Sequence, residues 1–183
     1  MKKENTDLRT VLIVDDEEHV LSSLKRVLSN EPYNALFASS GKETLEILDT
    51  QDVHVLVADL GMPGMDGIEL LKIVKERYPH IIRMVISGYT DSETMLAAIN
   101  EGEILRFIAK PWANKELKII IQQAIDYYNL CSEREMLIEF FELWIKGTKP
   151  GPEDIRFLQE LIARQKEHLY KWQKRSGSAA MKP

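Results

Sequence analysis

Continuous apolar runs alternate along this chain with segments of helical spacing. The runs fall at residues 10–14, 33–38, 53–58, 81–86 and 105–108. Short runs rich in Val, Leu and Ile, bounded by turn residues, read as strands buried on both faces. Between them, apolar residues recur three and four apart: Val20, Leu21, Leu24, Val27 and Leu28; Leu45, Ile47 and Leu48; Ile68, Leu70, Leu71 and Val74; Met95, Leu96, Ala98 and Ile99. Each set predicts a helix with one inward face. Pro32 and Pro79 stop the first and third, Asp91, Ser92 and Glu93 open the fourth, and Gly102 is its expected C-cap. A fifth helix begins around Ala113.

Five strands alternating with five helices in about 120 residues demand βαβ crossovers, hence a parallel sheet with helices on both faces. The expected fold is α/β, a flavodoxin-like doubly wound five-stranded sheet of order 2-1-3-4-5. The order rests on analogy, because periodicity cannot supply it.

The fifth helix does not stop where such a domain ends. Leu117, Ala124, Cys131, Ile138 and Ile145 are seven apart; Ile120, Tyr127 and Phe141 fill the other seam position, with Arg134 interrupting. No Gly or Pro stands between Ala113 and Lys146. At ~1.5 Å per residue the helix would approach 50 Å. After a turn at 146–152, Ile155, Leu158, Leu161, Ile162, Leu169 and Trp172 mark a second amphipathic helix. The stripe is either a coiled-coil dimer seam or packs on this following helix, and both hold in a dimer of helical hairpins. The expected organisation is a flexible 1–8, a sheet domain at 9–130, a helical extension at 131–173 and a disordered 174–183.

Composition adds context. With 183 residues and 44% hydrophobic content the chain can bury a core, and no apolar stretch approaches the ~20 residues of a membrane span. One cysteine, Cys131, excludes an internal disulfide; together with the lack of a signal segment this predicts a cytoplasmic protein. Net charge is −5, as −7 over 1–112, −3 over 113–145 and +5 over 146–183. The basic end permits nucleic-acid binding, but a solvated helix face explains it as well, and nucleic acid is not the expected partner. His19, His54, His80 and His168 are scattered and form no metal site. His54, inside a strand, reads as structural.

The chemistry lies at the strand ends. The first run ends in Asp15 and Asp16, the third in Asp59, the fourth in Ser87 and the fifth in Lys110. In an open parallel sheet these positions share one rim, where ligands bind. Three carboxylates there would need a cation, and oxygen ligands suit Mg²⁺. Asp59 could carry a phosphoryl group as an acyl phosphate, with Lys110 and the metal neutralising its oxygens and Ser87 donating to one. Taken singly, each group has a plainer role as a helix-end charge, a turn or a surface residue.

With Val14-Asp15-Asp16-Glu17, Asp59 before Met62-Pro63-Gly64-Met65-Asp66-Gly67, Ser87-Gly88, Phe107 and Lys110-Pro111-Trp112, the chain resembles the receiver domain of two-component response regulators over about residues 9–130. The resemblance implies that Asp59 accepts a phosphoryl group from a phosphohistidine of a sensor kinase or phosphotransfer protein. It implies Mg²⁺ held by Asp15, Asp16, Asp59 and the Gly61 backbone carbonyl, and Lys110 paired with the phosphate. Ser87 and Phe107 would act as switch residues reshaping the face of the fourth helix, fifth strand and fifth helix. Lys110-Pro111 would be cis. The implied protein is no enzyme beyond its own phosphorylation and dephosphorylation, and is expected as a homodimer through the fifth and C-terminal helices. Gly61 stands where a larger side chain is common, which predicts an altered dephosphorylation rate. Tyr89 is expected as a loop aromatic.

Other readings are a DNA-binding regulator, a piece of a longer regulator carrying a cyclic-dinucleotide phosphodiesterase or other output domain, and an aspartyl-phosphate phosphatase. The last usually has a second Asp two residues after the nucleophile, where this chain has Gly61.

Overall fold

The computed structural model describes residues 8–88, 99–147 and 151–163. The chain divides into two compact units, Met1–Leu130 and Cys131–Pro183.

In the first unit, strands β1 (Thr10–Val14), β2 (Asn34–Ala38), β3 (Val55–Ala58), β4 (Ile82–Ser87) and β5 (Arg106–Ala109) form one sheet of order β2-β1-β3-β4-β5. Every pairing is parallel. Helices α1 (Glu18–Leu28), α2 (Gly41–Leu48) and α3 (Gly67–Arg77) connect them, and residues 99–102 are helical (α4). Helix α5 runs Asn114–Ile145 and contributes residues to both units. Residues 152–163 are helical (α6).

The strands are apolar throughout because the pleat feeds two cores. Val11, Ile13, Val55, Val57, Met84 and Ile86 cluster with Leu21 and Leu24 of α1 and Leu117 and Ile121 of α5. Leu12, Val14, Leu56, Ala58 and Val85 cluster with Leu48 of α2 and Leu70, Leu71 and Val74 of α3.

Three local differences from expectation have physical causes. Strand β3 begins at Val55 rather than at residue 53, because the backbone N–H of Thr10 donates to Nδ1 of His54 at 3.0 Å and a ring nitrogen replaces a ladder carbonyl. Gly102 is not the left-handed cap. It lies inside α4, where an added Cβ would stand 3.1 Å from Cβ of Leu71, and Glu103 takes the positive φ of 48°. Arg83, embedded in the apolar fourth run, is buried; its guanidinium donates to the carbonyls of Gly102 and Ile81 at 2.8 Å.

Asp91, Ser92, Glu93, Met95, Leu96, Ala98 and Tyr89 lie outside the described residues. So do residues 148–150 of the expected turn, Leu169, Trp172, and the proposed flexible N-terminus up to residue 7 and C-terminus at 174–183. Among the described residues no helix is long and apolar enough to cross a membrane.

Candidate functional site

Register delivers the site. Val14 of β1 pairs with Ala58 of β3, Ala58 with Val85 of β4, and Ser87 with Ala109 of β5. Asp15, Asp59 and Lys110 are each the next residue beyond a strand, and their backbone N–H groups extend the ladder: Asp15 to Ala38 O at 3.2 Å, Asp59 to Val14 O at 2.9 Å, Lys110 to Ser87 O at 3.0 Å. Their side chains leave one rim together.

Lys110 is the centre of that rim. Its Nζ stands 2.6 Å from Oδ2 of Asp15, 3.0 Å from Oδ1 of Asp59 and 3.6 Å from Oε1 of Glu17. The Lys110–Pro111 peptide preceding α5 is cis. Asp15 and Asp59 are both buried. Burial pushes the Asp15 carboxyl above its ordinary value, although Lys110 and the Glu17 N–H pull the other way. For Lys110, burial pulls down, but the bonds and charges of Asp15 and Asp59 outweigh it and hold the ammonium above its usual value.

The other bonds are directional. Oδ1 of Asp15 accepts from the Glu17 N–H at 3.0 Å, and Oδ2 of Asp59 accepts from the Gly61 N–H at 2.7 Å. The Asp15 Oδ2 contact with Lys110 is an ion pair by distance, yet this buried oxygen has no hydrogen bond of good geometry. It is an acceptor with spare capacity.

Helix α3 begins against the backbone that carries Asp59. The Asp66 side chain caps it by accepting from the Glu69 N–H at 2.8 Å. Gly67 follows, and a Cβ there would fall 2.1 Å from the Asp59 carbonyl oxygen. Only glycine lets α3 start this close to the Asp59 backbone.

The sequence-read groups are not all gathered. Ser87 is fully buried as the last residue of β4, and Phe107 is half-buried against the core cluster on the α3 side. Asp16 is exposed. The three carboxylates that gather on the rim are Asp15, Asp59 and Glu17, around the Lys110 ammonium, and among the described residues no three acidic or metal-ligating groups are placed to hold an ion. Asp15 and Asp59 instead share one ammonium, because a buried charge needs a counter-charge.

Two contributors escaped sequence reading. Glu17 is the N-cap of α1, but its side chain makes no cap bond and reaches Lys110 instead. Gly67 was visible as part of a Gly/Pro-rich loop, but its closeness to Asp59 was not.

Comparison with known proteins decides the family: the response regulator receiver domain matches residues 11–122. The chain belongs to the response regulator receiver family. It is 43% identical over 128 residues to the hydrogenase transcriptional regulatory protein HoxA of Cupriavidus necator, covering 70% of this chain and 26% of that protein. It is 32% identical over 116 residues to the DNA-binding transcriptional regulator NtrC of Klebsiella pneumoniae, covering 63% and 24%. The receiver thus spans about a quarter of the length of these curated relatives. Among solved structures, the signal receiver domain of an HD domain-containing protein from Pseudomonas fluorescens Pf-5 matches with TM-score 0.65 at 34% identity, over 67% of this chain and 98% of that one. The beryllofluoride-activated NtrC4 receiver domain dimer matches with TM-score 0.61 at 32% identity, over 65% and 98%.

Proposed function

We propose that Asp59 is the phosphoacceptor of this two-component response regulator. The observation that carries this is the position of its carboxylate: buried at the end of β3, with Oδ1 on the Lys110 ammonium and Oδ2 on the Gly61 N–H. A carboxylate so held is aligned as a nucleophile with little freedom left to lose. An Asp59 oxygen attacks the phosphorus of a phosphohistidine on a sensor kinase or phosphotransfer protein. The P–N bond breaks as the P–O bond forms, and the imidazole keeps the electron pair. Lys110 neutralises charge on the transferred group.

The donor set fits Mg²⁺, being oxygen only, with an under-used buried acceptor on Asp15. Asp15, Asp16, Asp59 and the Gly61 carbonyl would hold it, and it would supply further neutralisation of the phosphoryl oxygens. Ser87 and Phe107 are the switch pair, relaying occupancy to the face of α4, β5 and α5. The receiver at 9–130 is followed by a helical extension at 131–173, and the protein works in the cytoplasm as a homodimer through α5 and α6. The support is one cysteine, no membrane-spanning helix among the described residues, and exposed apolar side chains on both helices.

Incubation with acetyl phosphate and Mg²⁺ followed by intact-mass measurement tests the chemistry. One phosphoryl group should add to the wild type and none to Asp59→Asn. Gly61→Arg should change the phosphoryl lifetime severalfold, and an unchanged lifetime would remove Gly61 from the account. A DNA-binding output is the second reading, favoured by the names of HoxA and NtrC and by the +5 charge of residues 146–183. Binding of random DNA at low salt with a steep salt slope would support it, and no binding would end it.

A further inference from the structure

Strand β4 carries one charged residue in an otherwise apolar stretch, Arg83, and buries it. Its guanidinium is spent on the C-terminal end of α4 and on its own strand's entry. Nε donates to the Gly102 carbonyl and Nη1 to the Ile81 carbonyl, each at 2.8 Å. Nη2 stands 3.7 Å from Oε2 of Glu103, whose Oε1 lies 2.8 Å from Nζ of Lys75 on α3. Lys72 of α3 pairs with Glu101 in the same turn, and Gly102 packs so tightly on α3 that a Cβ there would stand 3.1 Å from Cβ of Leu71.

The turn held in this way is strained. Glu103 has a φ of 48°, in the left-handed region where a side chain crowds the backbone. A residue other than glycine stays there only where its surroundings over-determine it, and such residues gather at switch regions. The buried guanidinium is costly as well, because an apolar side chain of similar volume is often as stable. What Arg83 supplies, and an apolar residue cannot, is a fixed position for the Gly102 carbonyl and the Glu103 carboxylate.

Strand parity sets this anchor beside the switch pair. Alternate side chains share a face, so Arg83, Val85 and Ser87 line one side of β4. Val85 belongs to the α3-side core; Phe107, its register partner on β5, and Ile104 pack against that core. The Leu105 N–H donates to the Arg83 carbonyl at 2.7 Å, so the chain enters β5 directly from the anchored turn. Phe107 is therefore level with Val85, between Ser87 at the site end and the Arg83-held turn at the other.

We propose that Arg83 is a positioning residue of the switch: it fixes the end of α4 and the chain entering β5, so that Phe107 has two discrete places and the occupancy of Asp59 selects between them. The inference rests on the reading of Ser87 and Phe107 as the switch pair, and adds what makes the switch sharp. Packed elements with fixed walls are bistable, whereas a wall free to slide lets the ring drift. The groups that hold Arg83 are not those that hold Asp59 and Lys110, so phosphoryl acceptance is independent of it.

The test is fluorine NMR of the full chain labelled with fluorophenylalanine, the Phe107 signal being assigned with Phe107→Leu, with and without beryllofluoride and Mg²⁺. Wild type should show a separate Phe107 position in each state. Arg83→Met should show an intermediate position that beryllofluoride moves by less than about a third of the wild-type shift, while intact mass still gains one phosphoryl group from acetyl phosphate. Glu103→Gln, at an exposed site, should lose part of the shift in the same way, and it carries the test should Arg83→Met not fold. Leu48→Ala removes buried volume from the same core on α2 and should keep the full shift. A full shift in the Arg83 and Glu103 variants would overturn the inference. So would an equal loss in Leu48→Ala, which would trace the effect to lost stability. A wild type that gains the phosphoryl mass without any Phe107 shift would instead sink the switch reading, and the inference with it.

Discussion

The two units treat apolar surface in opposite ways. In the first, β1 and β3 are interior to the sheet and covered on both faces, and Leu12, Leu56, Leu70 and Leu71 are wholly inaccessible. In the second, Leu161 is the one buried hydrophobic residue among those described, while Ile145 is 84% exposed. One helix, α5, shows both behaviours along a single seven-residue phase. The lesson is that a periodic apolar stripe records where burial is needed without recording what provides it. For the first four turns or so the sheet provides it; beyond Tyr127 the proposed partner does.

The largest contrast should come from truncating one residue in each unit. Leu71→Ala, under the sheet, should lose about 2–5 kcal/mol in denaturant unfolding. Phe141→Ala should cost less than about 0.5 kcal/mol at concentrations where the chain is monomeric. Equal costs would mean that the second unit has a core of its own and would blur the comparison.

Gly67→Ala comes next. Its Cβ cannot be accommodated 2.1 Å from the Asp59 carbonyl, so α3 or the Asp59 backbone must move. The expected loss is about 1–3 kcal/mol, with phosphoryl acceptance reduced more than tenfold while sedimentation is unchanged. Full acceptance would show that the tight α3 start does not position Asp59.

Lys110→Met should cost about 1–2 kcal/mol near neutral pH, and the loss should depend on pH. Burial already raises the Asp15 carboxyl, and removing the ammonium raises it further. A group with a raised folded value stabilises the fold below its unfolded pKa and loses that contribution as pH rises through the folded one. Urea midpoints of the variant should therefore approach those of wild type in acid and fall behind as pH rises. A constant deficit would contradict the ion pair. The smallest effect is Asp15→Asn. Since ionised Asp15 is disfavoured by burial, the amide should raise the midpoint slightly, by about 1 kcal/mol or less, while Mg²⁺-dependent phosphorylation is lost. A destabilised variant would mean that Lys110 more than offsets the burial.

The fold was legible because each strand of the first unit is a continuous apolar run and the first and third helices carry stop signals. Pro32 and Pro79 fall where α1 and α3 have ended. Strand ends were readable to within a residue or two, and the miss at β3 has a local cause, the His54 ring accepting from Thr10. The rim of Asp15, Asp59, Ser87 and Lys110 was legible because parallel register turns four separate chain positions into one place. Asp16 stands exposed and Glu17 reaches Lys110, a difference of one residue that no spacing rule contains. Gly102 misled because glycine serves both positive φ and close approach, and here it serves the second against Leu71. Beyond residue 130 the pattern specified a helix and a stripe, and nothing in one chain's periodicity names the surface that faces it.

The most direct test of the central claim is the mass of the intact protein after acetyl phosphate treatment with Mg²⁺. The account predicts one added phosphoryl group on the wild type, none on Asp59→Asn, and none when Mg²⁺ is chelated. A wild type that gains nothing, or an Asp59→Asn protein that gains the same mass, would contradict it.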